Sequence, residues 1–105
     1  MLRIHDVMLE VLVLLRPVLA QIGRKDRNLE AQCRRAATSV VLNIAEGSAA
    51  RGGNRPAKYA IALGEANEVV TALRVAVSFG YIAGIDDALA GRLRQVVGTL
   101  VNVSR

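Results

Sequence analysis

The sequence predicts an all-α protein, an antiparallel up-and-down four-helix bundle, and three observations carry that expectation. Apolar residues recur at three- and four-residue spacing through residues 4–22, 29–46, 56–79 and 84–103. Hydrophobic residues make up 52% of the chain while aromatic residues make up 3%, so alanine, valine, leucine and isoleucine must fill the interior, a composition suited to close-packed helices. The connections are short, which favours antiparallel neighbours. A chain of 105 residues fits a single domain over 1–105 that buries a core without disulfides.

The first helix carries a core stripe of Ile4, Val7, Met8, Val11, Leu15, Val18 and Ile22. A second stripe of Leu2, Leu9, Val13 and Ala20 runs beside it, and Pro17 predicts a kink or an irregular last turn. GRKDRN, residues 23–28, is a polar turn with Asp26 or Asn28 placed to cap the second helix. That helix is expected to end near Glu46, with Gly47 closing it in the left-handed conformation. Its core stripe is Leu29, Cys33, Ala36, Ala37, Val40 and Ile44, flanked by a polar stripe of Asn28, Gln32, Arg35, Ser39, Asn43 and Glu46. The third helix begins after Asn54 as cap, with Pro56 in its first turn, and ends at Phe79 before Gly80. One face carries Tyr59, Ala62, Leu63, Ala66, Val69, Val70, Leu73 and Val77; the other carries Ala57, Ile61, Ala72, Val75 and Phe79, with Glu68 in its midst. The fourth helix offers Ile85, Leu89, Leu93, Val96, Val97 and Leu100. Helices one and three thus have more apolar surface than a monomer needs, which predicts a homo-oligomer.

The net charge is +5, carried mostly by arginines, which pair bidentately with phosphates and carboxylates. Within LNIAEGSAARGGNR, residues 42–55, the glycine spacing from Gly47 to Gly52 resembles the start of a phosphate-binding loop. Gly53 and Asn54 stand where lysine and serine or threonine are needed, and a helix rather than a strand precedes it, so a nucleotide cradle is set aside. What remains is a basic inter-helix turn in which Arg51, Arg55 and Lys58, with Arg34 on the preceding helix, are candidate contacts to a nucleic-acid backbone. No aromatic stacking platform is visible in the sequence, so low base specificity is expected. Arg35, Ser39, Asn43 and Glu46 form a narrow polar strip for which Glu68 is the candidate partner across the helix pair, either as a half-buried network or as an ordinary wet face.

Cys33 is the sole cysteine and His5 the sole histidine, so no intrachain disulfide, transition-metal cluster or histidine-based triad assembles within one chain. No cofactor is implied. Cys33 falls on an apolar stripe as a packed thiol, and a reducing cytoplasm suits the composition. Asp6, Glu10 and Arg16 interrupt the N-terminal apolar segment, which argues against a signal peptide or membrane span. Asp86-Asp87 reads as the acidic start of the fourth helix.

The stretch QCRRAATSVVLNIAEG, residues 32–47, closely resembles the bacterial four-helix-bundle proteins encoded by intervening sequences within 23S ribosomal RNA genes. The shared pattern is Arg34-Arg35-Ala36, then Ser39, then Asn43 to Gly47. The segment IALGEANEVVTALRVAVSFGYI resembles the family's third helix through Gly64, Glu68, Thr71 and Gly80-Tyr81-Ile82. Val41 replaces a frequent proline and Glu65 a usual serine, and the family's aromatic-rich first helix is only faintly matched. The resemblance implies a bundle that assembles as a homopentamer, with no established enzymatic activity. Distant relatives are similar to accessory proteins of diversity-generating retroelements, basic pentamers that engage nucleic acid and a reverse transcriptase; such likeness is associational.

The resulting expectation is a non-enzymatic, cytoplasmic homo-oligomer that binds RNA or a ribonucleoprotein through arginines. An oligomeric protein scaffold that touches no nucleic acid is the alternative. A small-molecule helical enzyme using arginine clamps and a glutamate is the third reading.

Overall fold

Three turns divide the chain, and each is set by local chemistry. The computed structural model describes residues 3–105, with helices α1 (Arg3–Gly23), α2 (Arg27–Ala49), α3 (Asn54–Ser78) and α4 (Asp87–Val103) and no strand among the described residues. Leu2, assigned above to a second stripe, lies outside them. Each helix packs on the next and α4 closes on α1, the pairing of an up-and-down bundle.

Between α1 and α2, Asp26 accepts a 2.9 Å bond from the Leu29 amide and caps α2, as a residue of its type does at an N-terminus. Between α2 and α3, Gly52 adopts φ 61°, and Asn54 N–H donates to the Arg51 carbonyl at 3.4 Å. Asn54 is therefore the first residue of α3 and Gly53 holds the cap position; no side chain caps this helix. After α3, Gly80 at φ 76° closes a Schellman turn: Tyr81 N–H donates to Ala76 O at 2.8 Å and Gly80 N–H to Val77 O at 2.9 Å. Asp86 caps α4 through a 2.7 Å bond from the Ala88 amide, so α4 starts three residues later than its apolar pattern suggests.

α1 stays helical through Pro17, which sits on the exposed side of the helix, where water can satisfy the carbonyl left without an amide partner. One sequence expectation changes here. Gly47 does not end α2: the helix continues to Ala49, and Gly47 is buried in helical conformation with φ below zero. Its role is close approach. A Cβ at this position would lie 2.5 Å from Cε1 of Tyr59, so the glycine makes room for the ring that α3 lays across α2. The Ser48 and Tyr59 hydroxyls share a hydrogen bond at 3.3 Å, giving the buried ring's polar end a partner.

Ala36 and Ala37 of α2 and Ala62, Ala66 and Ala76 of α3 are buried, and this pair of helices has the most extensive contact in the molecule. Small side chains let the two backbones approach, while Met8, Leu15, Ile22, Leu89, Leu93 and Leu100 fill the interior from α1 and α4. The core contains no buried charged or polar residue among those described.

Gly47→Ala should destabilise the fold by about 1–2 kcal/mol, because overpacking against the Tyr59 ring exceeds the helix-propensity gain of about 1 kcal/mol. In a Tyr59→Leu background the same substitution should become neutral or stabilising. Urea unfolding of the four proteins in this cycle measures the difference.

Candidate functional site

The α2–α3 turn gathers Arg51, Arg55 and Lys58 at one end of the bundle, and they differ in what they are free to do. Arg55 donates from Nε and Nη2 to the Ala50 carbonyl at 3.3 and 3.2 Å, clamping the turn. Lys58 Nζ lies 2.9 Å from Glu46 Oε2, tying α3 to the end of α2. Arg51 is exposed and pairs with no carboxylate among the described residues. Arg34 stands apart from this group. Fifteen residues before the end of α2, it is about 22 Å away along the axis at 1.5 Å per residue, and it pairs with Glu30 one turn back.

The polar strip on α2 separates into three local contacts. Asn43 donates to the Ser39 carbonyl at 2.9 Å and to its hydroxyl at 3.0 Å, a bond pattern contained within one helix. Glu46 turns to Lys58, and Arg35 comes within 3.8 Å of Glu68. Glu68 is not embedded among apolar side chains: its side chain is 41% exposed and that of Arg35 is 71% exposed, so water screens the pair. Together the Arg35–Glu68 and Glu46–Lys58 pairs define the antiparallel register of α2 and α3. Beside Glu68, partial loss of water raises the pKa of Glu65; the Glu68 charge and a hydrogen bond with it add to the rise, and Arg35 opposes it.

Among the described residues, two clefts near 500 Å³ open between helices. One, about 490 Å³ between α1 and α4, is polar, with Arg3, Asp6, Glu10, Asp87 and Arg92 on its walls, and Arg92 Nε bonds Glu10 Oε2 across it at 2.9 Å. The other, about 500 Å³ between α3 and α4, is apolar, lined by Val70, Leu73, Ile85, Leu93 and Val97, with Arg94 among its walls. Cys33 is fully buried, and burial pushes its thiol up to about 11, with Glu68 adding and Arg34 opposing. Among the described residues no group of three or more histidine, cysteine, aspartate or glutamate side chains is arranged to hold a metal, and no helix is long and apolar enough to cross a membrane.

At the opposite end from the basic turn, the structure brings two aromatic residues together across a left-handed glycine. The Phe79 and Tyr81 rings stack with centroids 5.4 Å apart and planes 29° from parallel. The signal was the sequence Phe-Gly-Tyr itself: a left-handed glycine after a helix folds the next residue back over the last turn.

The profile of the 23S rRNA-intervening sequence protein family matches residues 8–101. A solved structure from Bacteroides thetaiotaomicron VPI-5482, described as a protein with unknown function from the S23 ribosomal protein family, shares the fold. Its TM-score is 0.81 at 22% identity, and the match covers 97% of this chain and 98% of that one. No curated protein matches the chain.

In the native protein Cys33 should resist iodoacetamide at pH 8 and react fully once unfolded, as mass spectrometry can follow. Because Glu65 titrates above its ordinary range in the fold, its stabilising contribution is present at low pH and lost as pH rises through the raised value. Glu65→Gln should accordingly increase stability at pH 7 more than at pH 4 in urea melts.

Proposed function

The chain belongs to the 23S rRNA-intervening sequence protein family, and on that footing we propose that it is a non-enzymatic, cytoplasmic homo-oligomer that binds RNA, alone or in a ribonucleoprotein, through a cationic surface. The supporting observation is the imbalance of exposed charge. Of fourteen lysines and arginines, Arg34, Arg35, Lys58 and Arg92 pair with a carboxylate within 4 Å among the described residues, and ten do not. Charge of this kind attracts phosphate without reading sequence. In the α2–α3 turn Arg51 is the free contact; Arg55 shapes the turn, and Lys58 must share its ammonium with Glu46.

Assembly draws support from apolar side chains left on the outside. Val13 on α1 is 61% exposed, Leu42 on α2 56% and Ile61 on α3 48%. The register of the two ion pairs puts Leu42 level with Ile61, so the outer face of the α2–α3 pair carries an apolar spot suited to another copy of the chain. The pentamer is the state implied by the family resemblance. The same surface also favours the scaffold reading, in which the assembly recruits a protein and no nucleic acid.

Filter binding with a structured RNA should give affinity that falls steeply with salt. Replacing Arg51, Arg55 and Lys58 together with glutamine should flatten the slope of log K against log salt by about 1 for each phosphate that these side chains neutralise. No binding to structured RNA or DNA at low salt would overturn the RNA reading. A protein pull-down insensitive to nuclease would then favour the scaffold.

A further inference from the structure

The end of the bundle opposite the basic turn carries an exposed ring on one turn and cations without a carboxylate partner, among the described residues, on the other. Phe79 is 68% exposed, more than any other large apolar side chain described. Its backbone position is set by the turn that follows α3. Gly80 at φ 76° closes the Schellman turn, which folds Tyr81 back against the ring of Phe79. Tyr81 is held in turn: it is partly buried against the core, and its hydroxyl donates to Asp26 Oδ2 at 3.3 Å. Loss of water, then the Asp26 charge and this bond, raise the tyrosine's pKa, so it stays a neutral donor.

Asp26 links the aromatic pair to the α1–α2 turn, where Arg24, Lys25 and Arg27 are all exposed and none pairs with a carboxylate among the described residues. The acids near this turn are already engaged. Asp26 uses one oxygen for the α2 cap and the other for Tyr81, and Glu30 holds Arg34. Farther along, Asp86 caps α4 and Asp87 lines the α1–α4 cleft with Arg3 and Asp6.

We propose that Phe79, backed by Tyr81, and Arg24, Lys25 and Arg27 of the adjoining α1–α2 turn at the same end of the bundle form a binding site for single-stranded nucleic acid, in which an unstacked base lies on the Phe79 ring while the three cations take phosphates. An aromatic face next to a cationic turn is the combination by which single strands are held without sequence reading. A duplex keeps its bases stacked and meets this end only through phosphates. The site lies at the other end of the molecule from Arg51, Arg55 and Lys58 and does not rest on their binding RNA.

The test uses the full chain with a Phe79→Trp substitution, because the natural sequence has no tryptophan and the new indole reports its own surroundings. Titration with a 12-nucleotide poly-uridine RNA should quench its emission, whereas a blunt duplex of the same length should not. By fluorescence anisotropy, Phe79→Ala should weaken binding of the labelled single strand about 5- to 150-fold, matching a stacking contribution of about 1–3 kcal/mol. Removing Arg24, Lys25 and Arg27 should flatten its salt slope by about 2, at about 0.7 for each phosphate neutralised on a single strand. Circular dichroism of Phe79→Ala should be unchanged, since the ring is exposed. Single-strand binding that is indifferent to Phe79→Ala, or that leaves the Phe79→Trp emission unmoved, would overturn the proposal. So would a lower sedimentation mass for Phe79→Ala with unaltered RNA affinity, which would assign the ring to a contact between copies. Loss of structured-RNA binding in the Arg51, Arg55 and Lys58 variant, with poly-uridine binding intact, would separate the two ends.

Discussion

The close approach of α2 to α3 is the constraint on which the rest of the molecule depends. Alanines on both helices and Gly47 beneath Tyr59 let the two backbones meet, and the tyrosine ring occupies the space a side chain at position 47 would need. Dispersion is strong only at contact distance, so a seam of small residues gains from proximity what it lacks in side-chain bulk. Once the seam is set, its two ends are set with it. One end presents the Arg51 turn, and the other carries the Schellman turn that stacks Phe79 on Tyr81. The ion pairs from Arg35 to Glu68 and from Glu46 to Lys58 lie along the seam's wet edge, where they mark register and add little energy.

Helix number, order and most of the core were legible in the sequence because 3.6-residue periodicity reports burial directly. Met8, Val11, Leu15, Cys33, Val40, Ile44, Val69, Leu73, Leu89 and Val96 are all buried as their spacing predicts. Glycine was the least legible residue. At position 47 it reads locally as a helix stop, yet its meaning lies in a ring twelve residues later in the chain, which no local pattern reveals. Asn54 likewise resembles a cap, but the tight turn at Gly52 and Gly53 starts α3 with backbone bonds alone.

The candidate site was half legible. Arg51, Arg55 and Lys58 lie in and just after one turn, as their short spacing requires. Their differing roles were hidden, since the carbonyl that binds Arg55 and the carboxylate that binds Lys58 become neighbours only on folding. Glu68 looked buried because its helix carries apolar residues on two faces; a helix of that kind has no sequence signature for which face stays wet. The aromatic pair is not legible from periodicity for a related reason, since residues two apart meet only when a left-handed glycine reverses the chain between them.

Positive charge therefore sits at both ends of the bundle, with Arg51 at one and Arg24, Lys25 and Arg27 at the other paired with no carboxylate among the described residues, which suits a ligand that is long, flexible and uniformly anionic. Photo-crosslinking of the full chain to RNA containing 4-thiouridine, followed by peptide mapping, tests this most directly. Adducts should concentrate in the peptides bearing Arg51 to Lys58 and Phe79 to Tyr81. Adducts confined to the outer face around Leu42 and Ile61, or none on any peptide, would contradict RNA binding at the two ends.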